Sequence, residues 1–81
     1  MPRYFLHLRD GTDETLDPEG RELVDMDELK DTVMREARDV ISGDVRKGLV
    51  DLRYRIDAED EEGTLLYSLP FSGAVSILTE D

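Results

Sequence analysis

The residues of this chain best equipped for chemistry begin with His7, its single histidine. Asp10, Asp13 and Asp17 follow closely, and an imidazole with carboxylates on a strand-loop unit is the donor set that a small metal-dependent hydrolase would use. The ordinary reading of the same residues is a strand histidine hydrogen-bonded to a loop carboxylate or backbone group, holding the Asp10-Gly11 turn in place. General-base work by His7 needs a nucleophile. Ser42, Ser68, Ser72 and Ser76 stand in no recognisable nucleophile motif.

The run Asp57, Glu59, Asp60, Glu61, Glu62, Gly63 superficially matches a calcium loop with oxygen ligands at alternating places. Its glycine falls one place late, and the position that needs a bidentate carboxylate holds Ser68, so a solvated acidic hairpin tip is the better reading. Arg53 and Arg55 sit beside Asp51 and Asp57, which predicts neighbour and cross-strand ion pairs, or an anchor for an acidic partner. The expected sets of catalytic, cofactor-binding and metal-binding residues are therefore empty. The expectation is a protein that is not an enzyme.

Composition narrows the partners. Ten basic residues against twenty-one acidic ones give a formal net charge of −11, which opposes contact with phosphate backbones or anionic lipid. Neither direct nucleic-acid binding nor a membrane role is expected. The chain has no cysteine, which removes disulfides, zinc-thiolate sites and thiol catalysis. Met1-Pro2-Arg3-Tyr4 leads straight into strand-like residues without an apolar signal core, so the expected location is cytoplasmic. A chain of 81 residues forms one small domain, stable by roughly 5 kcal/mol and too small to promise a deep cleft.

The element that must position everything else is a helix over residues 25–47. Met26, Leu29, Val33, Ala37, Val40 or Ile41, and Val45 recur every three or four residues on one stripe. Asp25 and Glu28 have capping-box spacing, Arg46 and Lys47 suit the C-terminal dipole end, and Gly48 supplies the stop. Ser42-Gly43 leaves a break open. A single amphipathic helix needs a sheet to lie on.

Residues 4–9 read as a first strand with apolar groups on both faces, which suits a position away from the sheet edge. Residues 14–16 form a short return, and 22–24 add a few extended residues that deliver Val24 near Leu29. Val50, Leu52, Tyr54, Ile56 and Ala58 alternate with charged residues as a long strand with one wet face. Gly63 closes a hairpin, and Leu65, Tyr67 and Leu69 continue the core until Pro70 ends or edges the strand. Residues 71–78 suit a short helical turn or an edge strand, with the turn preferred.

The whole chain resembles a family of small bacterial proteins catalogued as a domain of unknown function, whose members open with Pro-Arg-Tyr-Phe-Phe-His-Leu-Arg-Asp-Gly. The matching residues are Pro2, Arg3, Tyr4, Phe5, Leu6, His7, Leu8, Arg9, Asp10 and Gly11, with Leu6 replacing the usual aromatic. Further likeness lies in Asp17-Pro18-Glu19-Gly20, Arg35-Glu36-Ala37-Arg38 and Leu69-Pro70-Phe71. The resemblance implies no activity. A partial likeness over the first half is to HicB-like antitoxins, without the DNA-binding segment that follows in those proteins.

These readings predict an α+β domain: an antiparallel sheet of three or four strands in the order β-β-α-β-β, with the long helix on one face. The predicted core is Tyr4, Leu6, Leu8, Met26, Leu29, Val33, Ala37, Val40, Ile41, Leu52, Tyr54, Ile56, Leu65, Tyr67, Leu69 and Phe71. The expected role is a non-catalytic protein-interaction or regulatory module. Its predicted surface comprises Phe5, His7, Arg53, Arg55 and Leu66. The alternatives are an antitoxin-like neutraliser of a basic RNA-binding or RNase partner, favoured by charge, and the His7 metallohydrolase. A homodimer formed through apolar surface near Phe5 is expected, because one helix covers only one face of the sheet.

Overall fold

A computed structural model describes residues 2–80. Strand β1 (Arg3–Arg9) is followed by the two-residue strands β2 (Glu14–Thr15) and β3 (Arg21–Glu22), then helix α1 (Met26–Lys47). Strands β4 (Arg55–Glu59) and β5 (Leu65–Pro70) come next, and Phe71–Gly73 closes the fold as a single 3-10 turn. All strand pairs are antiparallel. The order is β2-β1-β4-β5, and β3 also pairs with β1, alongside its first residues. The α+β architecture matches the sequence reading, with five strands in place of three or four because residues 21–22 pair as well.

Helix α1 begins where the sequence marks it. The Asp25 carboxylate accepts the Glu28 amide at 2.9 Å, satisfying one of the unpaired donors of the first turn. The helix runs through Ser42-Gly43 unbroken and stops at Gly48, whose φ of 85° is the left-handed conformation that a C-cap requires. Leu29, Val33, Ala37 and Ile41 are buried along one stripe. Thr32 is buried too, its hydroxyl donating to the Glu28 carbonyl at 2.8 Å. The Arg38 guanidinium donates to the Ala74 carbonyl and ties the C-terminal segment to the helix.

The stripe packs on Tyr4, Ile56, Ala58 and Leu69, with the Phe71 ring fully enclosed. Leu6, Leu8, Val40, Leu52, Tyr54 and Tyr67 line the margin of this core. Met26 and Leu65, predicted in the core, are 37% and 56% exposed. Met26 is the first helical residue and overhangs the sheet, while Leu65 sits at a bulge on the last strand, where the pairing slips between Ala58 and Glu59. Val45 is also exposed, because the last helical turn runs past the core. Leu23 is buried where Val24 was expected to pack, and Ala74 joins the core.

The long strand expected from residue 50 onward starts only at Arg55. The Asp51 carboxylate accepts the Arg53 amide at 3.0 Å, a local turn that competes with the extended ladder. Val50 and Leu52 still rest against the core from irregular backbone. Gly63 closes the β4–β5 hairpin with φ of 83°. After Pro70 the Phe71 amide donates to the Tyr54 carbonyl, and the chain turns in under the helix.

Candidate functional site

Strand alternation sends Arg3, Phe5, His7 and Arg9 to the sheet face away from the helix. The register aligns them with β4 and β5: Phe5 lies opposite Glu59, His7 opposite Asp57, Arg9 opposite Arg55, and Asp57 opposite Ser68. One polar layer therefore crosses three strands. The sequence reading assigned Asp57 to a wet face, yet it is only 4% exposed, and His7 is 9% exposed. The long side chains of Arg9, Arg55 and Glu59 and the β2–β3 loop meet above them.

Arg9 is the hub. Its Nη1 donates to Asp57 Oδ2 at 3.0 Å and to Glu59 Oε2 at 2.9 Å, and its Nε donates to Glu14 Oε2 at 2.9 Å. The three carboxylates, Glu59 foremost, hold the guanidinium well above its ordinary pKa. Asp57 also accepts from the Ser68 hydroxyl at 2.6 Å and from Arg55 Nε at 3.1 Å. Burial pushes the Asp57 carboxyl up, but Ser68, Arg9 and Arg55 together outweigh it and leave the group below the usual aspartate range.

His7 fastens a loop. Its Nδ1 accepts the Asp17 backbone N–H at 3.1 Å, and its Nε2 lies 3.4 Å from Glu59 Oε1. In the neutral ring this assigns the proton to Nε2, facing Glu59. Asp17 locks the same loop from its own side, accepting the amides of Leu6 at 3.2 Å, Gly20 at 3.1 Å and Glu19 at 3.3 Å. Burial raises the Asp17 carboxyl and those amides lower it further, for a net fall. The sequence reading of His7 as a turn-holding histidine is right in kind. It holds the loop at Asp17 rather than the turn at Asp10-Gly11.

Asp10 is occupied elsewhere, accepting the amides of Thr12 and Asp13 at 2.9 and 2.7 Å within its own turn. Among the described residues, no group of three or more His, Asp or Glu side chains is placed to hold a metal ion. His7, Asp57 and Ser68 stand in a row that superficially suggests a hydrolytic triad, but their order is wrong for one. The carboxylate occupies the middle and takes the serine proton donor directly, whereas nucleophilic catalysis places the imidazole between serine and acid. An open hollow of about 390 Å³ lies at the Arg9 end, lined by Gly11, Thr12, Asp13, Glu14 and Arg55 rather than by His7.

The other predicted surface residues divide. Phe5 is half-buried, stacked on His7 with ring centroids 6.4 Å apart, and rests against Gly20. Leu66 is 38% exposed on the last strand. Arg55 joins the network, its side chain 40% exposed. Arg53 does not, because the turn at Asp51 holds it on a loop with its side chain 82% exposed, paired to Asp51 at 2.9 Å. That pairing draws the Asp51 carboxyl down to about 2. Sequence reasoning missed Arg9 and Asp57 as the centre of the layer. The signal was the run of charges at alternate positions on two apolar strands, which says nothing of its register.

The structure is that of a small α+β module with a helix covering one face of an antiparallel sheet and a closed polar network on the other. The chain belongs to the family described as a domain of unknown function, DUF6894, whose model matches residues 3–72. The match agrees with the unknown-function resemblance and carries nothing for the HicB-like one. Comparison with curated proteins and with solved structures gives no match. No helix among the described residues is long and apolar enough to cross a membrane.

Proposed function

We propose that the chain is a non-catalytic protein-interaction module that works through the sheet face opposite the helix. The observation that carries this reading is the saturation of the polar layer. Among the described residues every buried side-chain nitrogen or oxygen has a hydrogen-bond partner, which supports reading the layer as the scaffold of a binding surface. The part offered to a partner is the rim: the outer edge of Phe5, Leu66, and the exposed part of Arg55. Of these, Arg55 is of the residue type enriched at binding hot spots, and Phe5 and Leu66 add apolar area beside it. The net charge of −11 directs the choice toward a basic protein partner.

Affinity capture from the cells that make the protein, at low and moderate salt, tests this. The wild-type chain should retain a stoichiometric basic protein that Phe5→Asp and Arg55→Glu both lose while keeping the wild-type circular dichroism spectrum. Capture unchanged by either substitution would remove the face from the argument.

A further inference from the structure

The sheet has two edges, and the fold treats them differently. The outer side of β1 is covered by β2 over Leu8 and Arg9 and by β3 over Arg3 and Tyr4. Among the described residues, strand β5 pairs with β4 and with no strand on its other side. After the strand, Phe71 bonds to Tyr54 and Ala74 is held by Arg38 of the helix, so the chain from Phe71 to Ala74 turns toward the helix. Soluble proteins ordinarily blunt such an edge with lysine or another charge. Here Leu65-Leu66-Tyr67-Ser68-Leu69-Pro70 carries no charge at all, in a chain of which 38% is charged. Leu65 and Leu66 are 56% and 38% exposed, and only the bulge at one end and Pro70 at the other limit the strand.

We propose that β5 pairs antiparallel with β5 of a second copy of this chain, continuing the sheet across a two-fold axis. A row of free backbone donors and acceptors is matched by an extended strand, and an uncharged strand matches itself. Orientation follows from charge. The acidic tip Asp60, Glu61 and Glu62 lies at the start of β5, so parallel pairing would set two tips side by side. Antiparallel pairing separates them by the length of the strand, about 20 Å, well beyond the Debye length of about 8 Å. The interface is one strand wide and less than the roughly 1,000 Å² of a stable complex, so the dimer forms at high concentration and tightens with salt.

This goes beyond the proposed partner face, with which it shares only Leu66, and is tested apart from it by sedimentation equilibrium of the purified chain alone, up to millimolar protein, at low and moderate salt. The wild-type chain should dimerise, more tightly at higher salt. Leu66→Lys should be a folded monomer even though it lowers the net repulsion, and Leu65→Lys repeats the test at the more exposed position. Phe5→Asp should still dimerise. Orientation is read in this cysteine-free chain by a short thiol cross-linker: Leu65→Cys mixed with Pro70→Cys should cross-link, and Leu65→Cys with itself should not. A wild-type monomer throughout, dimers of both lysine variants, or efficient Leu65→Cys self-linking would each overturn the proposal.

Discussion

Replacing Asp57 with alanine is the sharpest probe of the polar layer. The carboxylate is 4% exposed and accepts from Ser68, Arg9 and Arg55 at 2.6, 3.0 and 3.1 Å. Breaking a buried charge pair by deleting one partner costs about 3–5 kcal/mol, because the other partner is left uncompensated. That figure is reduced here. Arg9 keeps Glu59 at 2.9 Å and Glu14 at 2.9 Å, and Arg55 is exposed enough to find water, so the expected loss is about 2–3 kcal/mol. Against a total of roughly 5 kcal/mol for a domain of this size, that is half the stability. With a urea slope of about 1 kcal/mol/M, the midpoint should fall by about 2–3 M at constant slope. Far-ultraviolet circular dichroism follows the transition. Asp51→Ala, which removes a pair with the exposed Arg53 and one local turn hydrogen bond, should lower the midpoint much less. A loss under about 1 kcal/mol for Asp57→Ala would refute the view that this layer is a buried, mutually dependent network.

Other expectations follow from single features. Gly20 has φ of 72°, and a Cβ there would stand 2.8 Å from the Tyr4 carbonyl oxygen, so Gly20→Ala should cost more than the roughly 1 kcal/mol expected of Gly63→Ala, whose site is open. Thermal melts of the two variants side by side decide it, and equal losses would count against the close approach. Phe71→Ala empties the fully buried ring position, and a cost of about 3–5 kcal/mol out of roughly 5 should leave at most about 2 kcal/mol, read as a sharply lowered thermal midpoint by circular dichroism. Asp17 and Asp57 both have lowered folded-state pKa values, so their stabilisation is complete above the ordinary value of 3.8 and is lost as pH falls through the lower folded values. Urea midpoints measured from pH 6 to 2 should drop below pH 4, and the drop should be shallower in Asp57→Ala.

The helix, its caps and the hairpin were legible in the sequence because each is a local matter. Asp25 caps an amide three residues away, Gly48 and Gly63 take conformations that their own neighbours demand, and the spacing from Leu29 to Ile41 fixes the buried stripe. The α+β class followed, since one amphipathic helix beside alternating strands leaves little else to build. Local chemistry also misled where two local signals competed. The alternation from Val50 to Ala58 promised a long strand, but the Asp51 side chain offered the backbone a turn and took Arg53 out of the sheet. The polar layer belongs to tertiary structure alone. His7 stands far along the chain from Asp57 and Ser68, and the three line up only through the registers of β1 with β4 and of β4 with β5. Alternation told which residues share a face of each strand, whereas register decides who stands opposite whom. A slip of one residue would have turned Asp57 toward the helix and Ile56 toward water. The helix-side core forbids that slip, so the packing of Leu29, Val33 and Phe71 on one face is what assembles the charges on the other.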